Sequence, residues 1–266
     1  MGRPTRRPGA GLSLFVAGTD TGVGKTVVSA LLLSRYAAEL ELAYWKPIAS
    51  GAGGPQPERD SSTIASLVSR AGVEVEIRLE MHLLRDPVSP HLAARREGVT
   101  IDIDEIARAW ADWQSVSPER GVVIEGAGGV MVPLNEKQRL GRGGAVSGGG
   151  GYAGSPLGSG RSAGGELLID LMALLELPVL LVARSTLGTI NHTLLTLDAL
   201  HRRGIPIAGV VLNGPANDEN RQAIESYGDV QVIATVEPFE LTSSSLCAAA
   251  AAFDPAGDLR RHLQYA

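Results

Sequence analysis

Six short apolar runs recur along the chain: LSLFVA (12–17), AYWKPI (43–48), VVIEG (122–126), VLLVA (179–183), IAGVVLN (207–213) and VIATV (232–236). None alternates cleanly with polar residues, which is the pattern of strands buried on both faces of a parallel sheet. Between them lie stretches with helical character at 24–40, 60–70, 102–114, 166–176, 189–203 and 217–227. Strand and helix alternating from end to end predict an α/β fold with a doubly wound, mostly parallel sheet flanked by helices. Ligands of such a sheet bind beyond the carboxyl ends of its strands. GTDTGVGKT (18–26), Lys46, Glu125 and Asn213 all fall there.

Bulk properties narrow the class. At 266 residues and 44% hydrophobic, the chain can bury the core of one α/β domain, read here as 12–266. A formal charge of −5, with basic clusters only in the first few residues, argues against a nucleic-acid partner. Cys247 is the only cysteine, so neither an intrachain disulfide nor a cysteine metal cluster can form, which fits a reducing cytosol. No apolar run approaches the roughly 20 residues of a membrane span. The opening MGRPTRRPGAG (1–11) lacks a secretory apolar stretch, and Arg6 stands where a myristoylation motif requires Ser or Thr. This basic, Pro/Gly-rich tail is expected to be disordered, and the protein soluble and cytoplasmic with no membrane partner.

GRGGAVSGGGGYAGSPLGSGRSAGG (141–165) is nearly devoid of large apolar side chains. It cannot bury enough surface to offset its ordering entropy and is expected to be a flexible insert within the domain. No strand leads into it and no Lys-Ser/Thr follows, so it is not a phosphate loop.

GTDTGVGKT is the better cradle. A phosphate loop reads G-x-x-x-x-G-K-[ST]; here five residues separate Gly18 from Gly24-Lys25-Thr26, one more than the pattern has. The context is nevertheless right, with a strand before and a helix after, and the fold is expected to be P-loop NTPase-like. Backbone amides of such a loop point at phosphate oxygens, Lys25 neutralises the β- and γ-phosphates, and the Thr26 hydroxyl can ligate Mg²⁺. Nucleotide-bound Mg²⁺ also recruits carboxylates. Glu125, at the end of VVIEG and followed by small residues, is one candidate. Asp60 in ERDSSTIASLV is another, although there it could equally cap a helix, and Glu58 competes with it. Lys46 in YWKPIASG follows a buried run and supplies a second cation, needed where a reaction develops anionic oxygen. Ser50 nearby can add a hydroxyl donor.

VAGTDTGVGKT, YWKPIASG, DPVSPHLAARREG, VVIEGAGGVMVPL, LGTINHTLLTLDAL and IAGVVLNG, in this order, resemble the dethiobiotin synthetase family over about 14–240. The resemblance implies ATP- and Mg²⁺-dependent closure of 7,8-diaminononanoate with CO₂ to dethiobiotin, ADP and phosphate, the penultimate step of biotin synthesis. One amine captures CO₂ as a carbamate, ATP phosphorylates it, and the second amine attacks the mixed anhydride. It further implies that Lys46 holds the carbamate and γ-phosphate, and that Lys25 serves the phosphates and the transferring group. Thr21 and Ser50 would contribute hydroxyls, and Thr26, Asp60 and Glu125 would hold the metal. Gly22, Val23, Gly24, Lys25 and Thr26 would cradle ATP, Asn213 would read adenine, and backbone near Glu237 and Pro238 would close that pocket. In the family the loop STLGTIN (185–191) reaches across a homodimer interface and binds the substrate carboxylate. That assigns Ser50, Leu187, Gly188, Thr189 and Asn191 to the substrate.

Gly22 stands where some relatives carry an acidic residue, so no acidic side-chain role carries over. Two rival classes fit less well. A MinD/ParA-type switch ATPase has an additional lysine early in the phosphate loop, where this chain has Thr19 and Asp20. An amide ligase like cobyrinic acid a,c-diamide synthase needs a glutamine-hydrolysing domain with a nucleophilic cysteine, which Cys247 in an Ala-rich stretch cannot supply.

Overall fold

The computed structural model describes residues 13–54, 59–136 and 165–263. The tail at 1–11, Glu58 and the Gly/Ser stretch up to residue 164 lie outside them. Strand β1 (Ser13–Gly18) takes the centre of a seven-stranded sheet. Outward on one side follow β6 (Gly121–Gly129), β2 (Leu42–Trp45) and β4 (Glu76–Arg78). On the other side stand β7 (Val179–Arg184), β8 (Ile207–Asn213) and β9 (Val232–Val236). Every neighbouring pair among these strands is parallel. The six apolar runs thus supply six of the seven strands.

Helices cover both faces because strand residues alternate between them. Leu14 and Val16 of β1 join the core beneath α1 (Lys25–Tyr36), α2 (Asp60–Arg70), α8 (Ser243–Ala252) and α9 (Arg260–Leu263). Phe15 and Ala17 join the opposite core, against α3 (Pro90–Glu97), α4 (Ile103–Val116), α5 (Leu168–Leu175), α6 (Thr189–Arg202) and α7 (Asp218–Gly228). The chain leaves β1 toward β2, then crosses from β6 to β7 over β1. This reversal opens a crevice at the carboxyl end of β1, as in other open α/β sheets.

One expected strand is not a single strand. AYWKPI divides into β2, ending at Trp45, and β3 (Ile48–Ser50), which pairs with β5 (His82–Leu84) in a separate two-stranded sheet. Pro47 causes the break: it has no N–H for the ladder, and its carbonyl instead accepts from the amides of Met81 and His82, both at 3.0 Å. Lys46 sits at the corner.

The residues flanking 137–164 are held together at a neck. The Asn135 side chain donates to Ile101 O at 2.8 Å and to Glu166 Oε2 at 2.7 Å. Its Oδ1 accepts from Glu166 N at 2.9 Å, and Leu134 N donates to Glu166 O at 2.8 Å. With the ends joined by native contacts, the connection can be shortened. Deleting 143–163 should leave the urea midpoint unchanged or slightly raised, since two halvings of loop length are worth only about 1 kcal/mol. A large drop in the midpoint would contradict this.

Candidate active site

The phosphate loop folds as it does because two of its positions require glycine. Gly22 and Gly24 have φ of 70° and 95°, in the left-handed region that disfavours side chains. A Cβ on Gly24 would also fall 2.1 Å from Asn213 Nδ2. Gly24 is the N-cap of α1, so the first amides of that helix face the crevice, where an anion is favoured. Val23 is anchored in the core, its side chain 1% exposed, and its carbonyl accepts from Asn213 Nδ2 at 2.9 Å.

Behind the loop lies a buried polar cluster centred on Glu125 of β6. Its Oε1 accepts from Thr26 Oγ1 at 2.9 Å and Lys46 Nζ at 3.0 Å. Its Oε2 accepts from Ser29 Oγ at 3.0 Å and Tyr44 OH at 3.1 Å. The Lys46 ammonium also pairs with Asp60 Oδ2 at 2.7 Å, while Thr26 Oγ1 lies 3.3 Å from Asp60 Oδ1. Asp60 is the first residue of α2, after an Arg59 N-cap; it is not the cap.

The packing around Trp45 fixes where Lys46 points. This buried indole stands edge-on to Trp113 with centroids 6.2 Å apart, and the Arg78 guanidinium lies over both rings. Lys46 then turns inward and is only 8% exposed.

The two lysines are tuned in opposite directions. Burial lowers the pKa of Lys25, and this outweighs the pull of Glu125 while Lys46 adds repulsion, leaving it at about 8. Burial also disfavours charge on Lys46, but the adjacent Glu125 and Asp60 carboxylates outweigh it and raise its pKa. Tyr44 is pushed well above the usual phenol range, by burial first and then by the Glu125 charge. The Lys25 ammonium donates to Asp20 O at 3.1 Å.

These groups open onto a cleft of about 610 Å³. Thr21, Gly22, Gly24, Lys25, Thr26, Lys46, Ser50, Asp60 and Glu125 all line it. Asn213 does not; it stands at the end of β8 with its flank against Gly24, and Glu237 and Pro238 are exposed just past the adjacent end of β9. Leu187, Gly188, Thr189 and Asn191 are also outside the cleft lining within one chain. Gly188 caps α6 with φ of 93°, and Leu187 and Asn191 are exposed. The Thr189 hydroxyl is bonded to Arg184 O and its amide to Thr186 O.

Sequence reasoning passed over several wall residues. Pro87, Val88, Ser89 and Pro90 line the cleft, as do Ala127, Gly128 and Val132. Their local signal is Ser89 followed by Pro90 at the first position of α3, a helix start facing the crevice. Arg184 was missed too. Its guanidinium donates to Thr21 O at 3.0 Å and lies 3.6 Å from the Asp20 carboxylate, bracing the phosphate loop from β7.

A family described as an AAA domain matches residues 13–140 and 147–245. The ATP-dependent dethiobiotin synthetase BioD of Paramagnetospirillum magneticum is 40% identical over 235 residues, 88% of this chain and 92% of that protein. The BioD of Afipia carboxidovorans is 38% identical over 239 residues, 89% of this chain and 92% of its own length. The chain belongs to the dethiobiotin synthetase family. The chain also matches the biotin biosynthesis bifunctional protein BioCD of Bordetella avium at 37% identity, covering 87% of this chain and 40% of that protein. A ParA family ATPase from Chlorobium tepidum overlays 96% of the chain at 11% identity with a TM-score of 0.49, too loosely to bear on function. The relatives are named as ATP-dependent synthetases, and this chain is an ATP-dependent ligase of their family.

The lowered Lys25 pKa has a thermodynamic consequence. A lysine whose folded pKa is about 8 rather than 10.5 costs the fold about 3 kcal/mol below pH 8, a penalty that vanishes as pH rises to 10.5. Lys25→Met should therefore raise the stability of the ligand-free protein at pH 7 by about 1–3 kcal/mol, with the gain shrinking between pH 8 and 10.5. The same variant should lose the thermal shift produced by ADP. A ligand-free variant less stable than the parent at pH 7 would contradict the tuning.

Proposed function

We propose that this chain is an ATP- and Mg²⁺-dependent dethiobiotin synthetase that closes 7,8-diaminononanoate with CO₂ to give dethiobiotin, ADP and phosphate. Its main support is the Lys46 ammonium, nearly buried and facing the same cleft as Lys25. One substrate amine adds to CO₂ and loses a proton, forming a carbamate. A carbamate oxygen then attacks the γ-phosphorus and ADP departs. The second amine attacks the carbonyl carbon of the mixed anhydride, closing the ring and expelling phosphate.

The carbamate is a weak anionic nucleophile approaching an anionic phosphate, so charge neutralisation and alignment dominate the barrier. Lys46 turns from its carboxylates to the carbamate and γ-phosphate. Lys25 leaves the Asp20 carbonyl for the phosphates, whose charge holds it protonated. Thr21 and Ser50 offer hydroxyls to the reacting oxygens. Thr26, Asp60 and Glu125 are oxygen donors that converge within hydrogen-bond reach, which suits Mg²⁺. When bound, that ion neutralises phosphate charge.

Asn213 reads adenine, with backbone near Glu237 and Pro238 beside it. The substrate carboxylate is held by the 185–191 loop of a second copy, which accounts for Leu187, Gly188 and Asn191 being exposed and outside the lining of their own cleft; Leu187 is fully exposed. A positive helix N-terminus suits that anion. Among the described residues no helix is long and apolar enough to cross a membrane. With a single cysteine, we read the chain as one domain working in the cytoplasm.

ADP release should require diamine and bicarbonate together, whereas a switch ATPase would hydrolyse slowly without either. Steady hydrolysis with neither present would overturn the assignment. Lys46→Gln should lower kcat about 10²–10³-fold, as loss of a preorganised cation does, while ADP binding stays within about threefold. Turnover near the parent rate would remove Lys46 from the chemistry.

A further inference from the structure

Glu80 lies outside the cleft, on the turn between β4 and β5, yet its side chain is completely buried. One carboxylate oxygen accepts from Ser61 N at 3.0 Å and the other from Ser61 Oγ at 3.1 Å. The Arg59 guanidinium stands 3.8 Å away. A carboxylate withdrawn from water persists only where donors and positive potential surround it. The first turn of α2 supplies both, through the Ser61 amide and the positive end of the helix. Arg59 at the N-cap provides no side-chain acceptor for that turn, so Glu80 performs the capping task from a distant part of the chain.

The consequence falls on the residue between these two partners. Asp60 is flanked by Arg59 and Ser61, and both neighbours face the same buried carboxylate. Their contacts fix the backbone from which Asp60 reaches Lys46 at 2.7 Å and Thr26 at 3.3 Å. This anchorage comes from the turn between β4 and β5.

We propose that Glu80 is a positioning residue that presents the Asp60 carboxylate to the Mg²⁺ of the bound nucleotide; this rests on the reading of Asp60 as a metal ligand. Outer carboxylates that orient metal ligands commonly contribute 10–100-fold in metal affinity. If Glu80 only anchored α2, its loss would lower stability and leave the metal requirement alone.

Full-length Glu80→Ala and Glu80→Gln can be compared with the parent by titrating Mg²⁺ at fixed ATP. ADP binding in EDTA and the thermal midpoint are measured alongside. Glu80→Ala should raise the half-saturating Mg²⁺ concentration about tenfold, and Glu80→Gln, which keeps the shape but loses the charge, about threefold. ADP binding without metal should stay within about twofold. An unchanged Mg²⁺ requirement would overturn the proposal, even with a lowered midpoint. Should the alanine variant fail to fold, the glutamine variant decides by the same criterion. Asp60→Asn is the control for the layer beneath. If it leaves the Mg²⁺ requirement unchanged, Asp60 is not a ligand, and the role of Glu80 falls with it.

Discussion

A single buried carboxylate organises this molecule. Glu125 is 1% exposed and receives four donors, Thr26 and Ser29 from α1, and Tyr44 and Lys46 from the end of β2 and the corner after it. An isolated charge at such depth would be prohibitive; with these partners it ties three neighbouring elements to one point. Removing one side of a buried pair typically costs about 3–5 kcal/mol because the other charge is left behind. Stability and site geometry therefore share the same atoms. The cluster that holds α1 against the sheet also fixes the Lys46 ammonium.

That arrangement explains why the lysines differ. Lys46 lies between Asp60 and Glu125 and stays charged with ease. Lys25 stands one layer out, near the phosphate-loop backbone, and is charged at some cost to the ligand-free fold. The negative charge of a triphosphate would relieve that cost. Arg184 and Asn213 brace the loop through the carbonyls of Thr21 and Val23. Both supports come from one half of the sheet, the ends of β7 and β8, beside the reversal of strand order at β1.

Much of the fold was legible because its strands are continuous apolar runs, which a strand buried on both faces must be. β3, β4 and β5 were not, since three residues each carry no periodicity, and Pro47 divides what reads as one run. The eight-residue α3 escaped for a similar reason, although DPVSPH marks its start. Among site residues, Lys25, Thr26, Lys46 and Glu125 betray themselves by a charged or hydroxyl group at a strand end or helix start. Tyr44, Ser29, Arg184 and Glu80 do not. Each looks like an ordinary core or turn residue, and its partner is far away in sequence, so only the folded chain reveals the contact. The 187–191 loop shows the opposite case: its motif is plain, yet within one chain it lies outside the cleft lining.

All of this turns on the ammonium of Lys46 being drawn from two carboxylates to a phosphate. A crystal structure with Mg²⁺ and a non-hydrolysable ATP analogue examines that movement directly. Lys46 Nζ should then lie about 3 Å from a γ-phosphate oxygen, with the metal about 2.1 Å from Thr26 Oγ1. Lys46 still bonded to Asp60 and Glu125, with the γ-phosphate beyond its reach, would contradict the reading of this cleft as the place where the carbamate meets ATP.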